Sequence, residues 1–340
     1  MKREMPAKAY FQLFACCVPV KGARRSVVCD LQRGSYFFIP NGLYEILTAH
    51  AGRTVDAIRA AYGPESHATI DEYFAFLEEK EAGFWCDDPS RFPAIDLAWE
   101  APERVTNAIV DVGGDFDQPF AELFGQLDDL GCKALQLRFF RPCSRAELES
   151  VLGACRTGRL RSVELLVPYT PELDAAGMEA LCRAHPRLRK ATVCGAPYSE
   201  IVPLPQLAAA LWYVEERVDS PECCGEVHLG YFSVNLELFS EGQRFNSCLN
   251  RKISVDRFGE IRNCPSTPRS YGHVHDTSLH SALAHREFRE LWEVNKDQVE
   301  VCRDCEFRYV CTDCRAYIAE PADRFSKPSK CTYDPYTARW

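Results

Sequence analysis

The sequence predicts an α/β protein in three parts, and three observations lead to this fold class. Short strand-like runs followed by three helical runs occupy residues 1–100. In residues 101–235, strand-like and helical runs alternate at intervals of about 28 residues, which is typical of a parallel sheet with right-handed crossovers. Residues 236–340 contain cysteines at short, regular spacings. We therefore expect three domains, with boundaries near residues 100 and 235.

The pattern of the first part predicts a small α+β module. Short strands are expected near residues 9–16, 26–31 and 36–39, and Gly34 supplies a hairpin turn between the last two. Helices with an apolar stripe on one face follow. This order of elements resembles the winged-helix domains that precede many peptide maturases and bind leader peptides. The resemblance implies that an extended peptide adds as a strand to an open sheet edge.

Capping residues predict where several helices begin. Asn41 is expected to cap the first helix, and residues 69–72 form a capping box for the third. In the middle part, residues 144–147 form a second capping box, and Thr170 precedes a proline suited to the first helical position.

Four basic side chains beside the first strands form a candidate peptide-binding patch: Lys21, Arg24, Arg25 and Arg33. They would attract acidic residues of a leader peptide, and an ordinary solvated surface is the alternative. The net charge of the chain is −9 and only this short patch is basic, so nucleic acid is not an expected partner.

The alternating middle part predicts a repeating (β/α) sheet. Strands are expected to begin near residues 105, 134, 162 and 190, with further candidates at 211–216 and 227–234. These would complete a sheet of five or six strands.

Seven cysteines of the last part recur at metal-binding spacings: Cys248, Cys264, Cys302, Cys305, Cys311, Cys314 and Cys331. In a Cys-x2-Cys knuckle, a tight turn directs two thiolates toward one metal. Two such knuckles stand only five residues apart here, which is short for folding both onto a single zinc ion. The spacing therefore favours interleaved ligation of two separate centres.

The order of these cysteines resembles the SPASM domain, the auxiliary iron–sulfur domain that follows the barrel in many radical SAM peptide-modifying enzymes. Residues 302–314 match its central signature, with two residues between Cys311 and Cys314 where many members have three. The run 327–336 is similar to SPASM proteins that act beside ATP-grasp peptide ligases, the grasp-with-spasm maturases. The resemblance implies a radical-SAM-like partial barrel ahead of the SPASM domain, and an ATP-grasp ligase as partner.

The resemblance also implies one or two 4Fe-4S clusters. One would be held by Cys302, Cys305, Cys311 and Cys331, while Cys248, Cys264 and Cys314 would hold three irons of the other. The motif lacks a fourth ligand for the second cluster, and Cys223 and Cys224 are the nearest candidates. An open site or a zinc ion is the alternative.

In a radical SAM barrel, a Cys-x3-Cys-x2-Cys loop after the first strand holds the cluster that reduces SAM. The corresponding loop here, residues 112–119, contains no cysteine, and the spacing occurs nowhere in the chain. The segment 137–142 is bulky where the family places glycine against SAM. We therefore expect a degenerate barrel that binds no SAM.

Composition favours a reducing compartment. The chain has 340 residues and 18 cysteines, and a chain of this size with Cys-x2-Cys knuckles favours metal ligation over disulfides. No run of 18 apolar residues is present, so no membrane span is expected. The interpretation is a cytoplasmic protein.

Together these features predict an iron–sulfur protein of ribosomal-peptide (RiPP) maturation that binds the leader region of a precursor peptide and assists an ATP-grasp ligase. Two alternatives stay open. One is a redox enzyme or electron carrier that acts on the peptide through the clusters, and the other is a zinc-bound structural adaptor. No Ser/His/Asp or Cys/His catalytic set is visible in the sequence.

Overall fold

The computed structural model describes residues 10–114, 117–156 and 158–340, and it confirms the α/β class. The strands are Tyr10–Leu13 (β1), Cys17–Val20 (β2), Ser26–Asp30 (β3), Ser35–Ile39 (β4), Gly83–Cys86 (β5), Asn107–Val112 (β6), Ala134–Phe139 (β7), Ser162–Pro168 (β8), Leu188–Cys194 (β9), Glu200–Leu204 (β10), Ala209–Val214 (β11), Lys252–Val255 (β12) and Ile261–Arg262 (β13). The helices are Asn41–Ala49 (α1), Val55–Ala61 (α2), His67–Glu79 (α3), Phe120–Asp129 (α4), Arg145–Ala154 (α5), Ala175–Ala184 (α6), Leu236–Gly242 (α7) and Leu279–Ala284 (α8). None of these helices is long and apolar enough to cross a membrane.

The first part folds as an α+β module with more strands than predicted. β2, β3 and β4 form an antiparallel sheet, while β1 pairs with β5 instead of continuing into β2. Gly34 has a φ of 67° and closes the β3–β4 turn, in a backbone region that glycine enters without steric cost. The three helices follow the β4 strand in the predicted order.

Two predicted helix starts in this module are wrong. Pro40 rather than Asn41 occupies the cap position of α1, because the Asn41 side chain is already bonded to Ser26 Oγ and to the carbonyl oxygens of the loop before β3. α3 begins at His67, ahead of the box at residues 69–72. The apolar stripe, rather than the cap, therefore determines where these helices form.

The capping predictions of the middle part have mixed outcomes. Ser144 caps α5 as predicted, since its Oγ accepts a hydrogen bond from the Glu147 amide at 3.2 Å. Thr170 instead precedes a short 3-10 turn, and Asp174 caps α6 by accepting from the Gly177 amide at 2.8 Å.

The large sheet has eight strands in the order β10-β11-β9-β8-β7-β6-β12-β13. The six strands from β11 to β12 are parallel, and β10 and β13 pair antiparallel at the two edges. α4, α5 and α6 cover one face, because alternate strand residues such as Val110, Leu137 and Leu165 pack in one core with these helices. The result agrees with a partial (β/α) barrel.

The carboxyl-terminal side of this sheet differs from the prediction. The candidate strand 211–216 is β11, but the candidate at 227–234 is wrong, because that segment contains only the short 3-10 turn Leu229–Tyr231. The hairpin β12–β13, from the cysteine-rich part, extends the sheet instead. Cys248 shortly precedes this hairpin and Cys264 follows it, so the barrel edge positions both cysteines.

The cysteine-rich part packs on the first part through the sheet β2-β3-β4. Val28 of β3 faces the core with α1–α3, whereas Val27 faces a second core that includes Phe307. Tyr36 of β4 contacts the Phe307 ring edge-on, at a centroid distance of 5.5 Å. The sheet is therefore enclosed between its own helices and the segment that carries the cysteine knuckles.

Candidate metal centres

The 18 cysteines are all free thiols, so no sulfur is committed to a disulfide. The predicted ligands lie in two separate places, which we call the first and the second cysteine group.

The first cysteine group consists of Cys302, Cys305, Cys311 and Cys331. A 3-10 turn begins at Cys302, and the Cys305 amide donates to the Cys302 carbonyl at 3.0 Å, so the knuckle has the tight turn that its spacing predicts. Burial raises the pKa of the Cys302 thiol to about 12, and the adjacent Cys311 and Cys331 thiols raise it further. Cys305 also lies near Cys311. Cys311 is thus a titratable neighbour of Cys302 and Cys305, and Cys331 is a titratable neighbour of Cys302 and Cys311.

The second cysteine group contains Cys248, Cys264 and Cys314, together with Cys224. Burial raises the pKa of Cys264 to about 12, and the nearby Cys248 and Cys224 thiols add to the rise. Burial also raises the pKa of Cys314, again with contributions from Cys248 and Cys224. The thiols that act on Cys264 and Cys314 therefore belong to their own group.

The structure distinguishes the two candidates for the fourth ligand of the second group. Cys224 is a close neighbour of both Cys264 and Cys314. Burial raises the pKa of Cys223, and Arg138, the charged group that acts on it most strongly, opposes that rise. Cys224 is accordingly the better-placed ligand of the two.

The loop that carries Cys224 is held against the second group. Gly225 has a φ of 87°, and a Cβ atom at this position would lie 3.0 Å from Cys314 Sγ, so the close approach requires glycine. Lys330 Nζ donates to the Cys224 carbonyl at 2.8 Å. Because Lys330 precedes Cys331, this contact links the loop to the first group.

A lysine accompanies each cysteine group, and the sequence interpretation missed both. Lys296 is 4% exposed, and its Nζ donates to the carbonyls of Cys311 and Thr312 at 3.0 and 2.7 Å. Lys252 is partly buried, and its Nζ lies 3.4 Å from Cys248 Sγ. Lys252 follows the ligand candidate Cys248 by four residues, and this spacing is a sequence signal that could have indicated it. Lys296 has no comparable signal.

The donor sets fit iron–sulfur clusters chemically. Each group supplies four thiols, which is the usual ligand set of a 4Fe-4S cluster. Raised thiol pKa values mean that the thiols hold their protons without metal, and metal binding displaces those protons. A cluster with four thiolates carries net negative charge, which the ammonium groups of Lys252 and Lys296 would offset in a poorly solvated site.

A buried ion pair lies beside the second group, on the sheet face opposite the helices. Arg138 of β7 donates to both carboxylate oxygens of Asp111 on β6, at 2.6 and 2.8 Å, and both residues are at most 2% exposed. The thiols of Cys224 and Cys264 are among the titratable neighbours of Arg138. A charged residue inside each of two apolar strand runs is the sequence signal that could have indicated this pair.

Side chains hold the loop that corresponds to the radical SAM cysteine loop. Gln118 Nε2 donates to the carbonyls of Asp111 and Asp256 at 2.9 and 2.8 Å. Arg141 Nε donates to the Gly113 carbonyl at 2.9 Å. Asp115 and Phe116 lie outside the described residues. The expectation that this barrel binds no SAM rests on the sequence and stays a prediction.

Two of the four predicted peptide-binding residues have partners within the chain. Arg25 Nε pairs with the fully buried carboxylate of Glu306 at 2.8 Å, and its guanidinium stacks on Phe38 at 3.4 Å. Arg33 pairs with Asp30 at 3.2 Å and also with Glu81. Arg25 thus joins the first part to the first cysteine group, since Glu306 follows Cys305.

The peptide-binding role stays a prediction for Lys21 and Arg24. Both side chains are exposed, and each residue contacts the cysteine-rich part through its backbone. The Lys21 carbonyl accepts from Arg308, and the Arg24 amide donates to the Pro335 carbonyl at 3.2 Å.

A third set of possible ligand atoms lies in the first part. Cys16, Cys17 and Asp30 place one ligand atom each within 4.8 Å of one another, the single such trio in the part of the chain that the structure describes. The Asp30 carboxylate already accepts hydrogen bonds from the Gln32 and Arg33 amides in the β3–β4 turn. We assign no metal role to this trio.

Comparison with known proteins gives little further information. No known family model matches this chain, and no curated protein matches it. Among solved structures, Streptococcus suis SuiB bound to S-adenosylmethionine is similar at 10% sequence identity, covering 96% of this chain and 99% of that chain with a TM-score of 0.37. A similarity at this TM-score supports no conclusion about function.

Proposed function

We propose that this chain is an iron–sulfur protein of ribosomal-peptide maturation that holds two 4Fe-4S clusters, binds a precursor peptide and presents it to an ATP-grasp ligase. The first cluster would be bound by Cys302, Cys305, Cys311 and Cys331. The second would be bound by Cys224, Cys248, Cys264 and Cys314.

The observation that carries this proposal is the division of eight thiols into two groups of four. The sequence motif alone supplies seven ligand candidates, and a loop more than twenty residues ahead of the motif brings the eighth, Cys224, beside Cys264 and Cys314. A chance collection of buried cysteines has no reason to separate in this way, whereas the iron–sulfur ligation implied by the SPASM resemblance does.

The peptide-binding step would use the first part of the chain. β4 is an edge strand, because it pairs with β3 alone among the described strands. An edge strand offers unpaired backbone groups to an extended peptide, and side-chain pockets beside it can select the sequence. Since Arg25 ties this sheet to Glu306, a peptide on β4 would lie close to the first cysteine group.

One observation favours a second candidate, electron transfer through the second cluster. Cys223 and Cys224 are exposed, unlike the buried Cys264 and Cys314. A cluster with one ligand at the surface is within reach of a redox partner. Electron paramagnetic resonance after reduction distinguishes the two functions, because a cluster that never changes redox state under mild reductants supports the binding role.

Iron and sulfide quantitation after anaerobic purification tests the proposal. We expect about eight irons per chain in the wild type and about four in Cys224→Ser, because the second cluster loses a ligand. Cys223→Ser is the matched control and should retain the wild-type iron. Zinc without sulfide, or equal iron loss in both variants, would contradict the proposed ligand sets.

A further inference from the structure

A groove of about 890 Å³ lies at the end of the large sheet where its parallel strands begin. Arg104 precedes β6 and Arg251 precedes β12, and these two strands are neighbours in the sheet. The short 3-10 turn Arg286–Arg289 after α8 forms another wall, and Arg324 of the cysteine-rich part closes it. The groove therefore lies at the opposite end of the strands from the Asp111 to Gln118 loop.

Four of the five arginines that line this groove have neither a side-chain hydrogen bond nor an ion pair among the described residues. Arg251 donates to the Ala101 and Glu103 carbonyls, which fixes the preceding linker. In contrast, none of Arg104, Arg286, Arg289 and Arg324 forms an ion pair with a carboxylate in the part of the chain that the structure describes. All four are exposed, so their guanidinium groups can bind a ligand without first breaking an ion pair.

One side chain of the groove carries a buried donor. Trp292 lines the groove and is 9% exposed, yet its indole Nε1–H has no hydrogen-bond acceptor among the described residues. Buried indole N–H groups are normally hydrogen-bonded, because an unmade bond costs about 1–3 kcal/mol. This N–H is fully covered by protein, however, so a ligand in the groove does not reach it and we assign it no ligand contact.

We propose that this arginine groove binds an acidic peptide segment, with carboxylates on Arg286 and Arg289. The inference deepens the proposed function, on which it rests, by naming the chemistry of the bound peptide and a site for it away from the β4 edge.

The lining of the groove favours a peptide over a small inorganic anion. Arginine forks bind carboxylates in pairs of hydrogen bonds, which suits a chain with several acidic side chains. The groove also exposes apolar surface from the partly buried Phe245 and Phe325, which an inorganic anion would leave uncovered. Glu290 and Glu293 at the same groove reduce its positive charge, so tight binding needs a ligand that spans several arginines.

Fluorescence anisotropy with a fluorescein-labelled peptide, in which glutamates alternate with leucine and glycine, tests the inference on the metal-loaded full chain. We expect the double variant Arg286→Glu/Arg289→Glu to weaken binding at least about 10-fold, and a glutamine version of the peptide to bind as weakly. Trp292→Phe, which removes a covered N–H without changing charge, should leave binding near the wild-type value. Arg183→Glu is the matched control, since Arg183 is exposed on α6 and pairs only with Glu179 among described carboxylates.

Iron content measured in the same preparations separates this inference from the cluster proposal. If the Arg286→Glu/Arg289→Glu variant loses peptide binding while its iron content stays at the wild-type value, the result supports peptide binding in the groove. Equal peptide affinity in the wild type and the Arg286/Arg289 variant overturns the inference and leaves the clusters untouched. Loss of binding on Lys21→Glu/Arg24→Glu but not on the groove variant also overturns it, in favour of the amino-terminal patch. Displacement of the peptide by inorganic phosphate, but not by equal chloride, would overturn it in favour of a small-anion site.

Discussion

The two cysteine groups are built in different ways. The first group takes all its thiols from residues 302–331, directly beneath the sheet β2-β3-β4. The second group takes its thiols from the Cys224 loop, from the two ends of the β12–β13 hairpin and from Cys314. The first group is therefore local in sequence and central in packing, while the second depends on the barrel edge and an exposed loop. Loss of the first should disturb the whole fold, and loss of the second should act locally.

The adjacent knuckle residues Cys311 and Cys314 offer the sharpest test of this difference. Each is 9% exposed and they stand three residues apart, yet they belong to different groups. We expect Cys311→Ala to lower the melting temperature by about 10 °C or more, because metal binding contributes folding energy and Cys311 also lies in the core with Phe307. Cys314→Ala should lose about half the iron and melt only a few degrees lower.

Anaerobic calorimetry and limited proteolysis measure both effects. Cleavage between the first part and the rest should become fast in Cys311→Ala alone. Similar melting temperatures for the two variants would show that the two cysteine groups contribute equally to the stability of the fold. The proposed difference between the groups would then be wrong.

Lys296 and Lys252 should also contribute unequally to the stability of the fold, with Lys296 contributing more. The difference should be smaller than that between the two cysteines. Lys296→Met leaves the Cys311 and Thr312 carbonyls without their donor, so we expect a loss of about 2 kcal/mol in stability. Lys252→Met removes a charge 3.4 Å from Cys248 and should lower the reduction potential of the second cluster, on the order of tens of millivolts, with little loss of stability.

Redox titration followed by paramagnetic resonance, together with thermal unfolding, checks this pair of variants. Lys252→Arg keeps the charge and should keep a near-wild-type potential. If the second cluster has the same reduction potential in Lys252→Met and in the wild type, the Lys252 ammonium group does not act on that cluster.

Much of the fold could be predicted from local patterns, because periodicity reflects burial that each segment carries on its own. The parallel strands and their helices are examples, and so is the Ser144 cap. Asn41 failed as a cap because Ser26, distant in sequence, binds its side chain. The failure at residues 227–234 has a similar origin, since the β12–β13 hairpin from the next part occupies the sheet edge.

The candidate site was predictable only where its ligands follow one another. The knuckle spacing indicates Cys302 and Cys305 directly, because a tight turn determines their geometry. Choosing Cys224 over Cys223 needs the position of a loop relative to Cys314, which no spacing contains. Lys296 could not be identified from the sequence either, since its role follows from its burial against carbonyl groups.

A buried carboxyl next to the second group gives the smallest predicted effect. Burial raises the pKa of Glu241 to about 7, although the hydrogen bond from Asn250, two residues after Cys248, opposes the rise. The folded chain therefore binds a proton that the unfolded chain releases above its ordinary pKa of 4.5. Stability from this group is complete below that value and is lost as pH rises through 7.

We expect the wild type to be about 1 kcal/mol less stable at pH 8 than at pH 6 through this group, which is roughly 1–2 °C in melting temperature for a chain of this length. Glu241→Gln keeps an acceptor for Asn250 but cannot ionise, so its melting temperature should change less between the two pH values. Glu72→Gln, exposed on α3 and outside the set of charges that act most strongly on the pKa of Glu241, is the control and should follow the wild type. Because Asn250 joins Glu241 to the segment after Cys248, a pH-dependent loss of iron from the second group alone should accompany the wild-type change. Parallel loss from both groups would mean that the two centres are not independent.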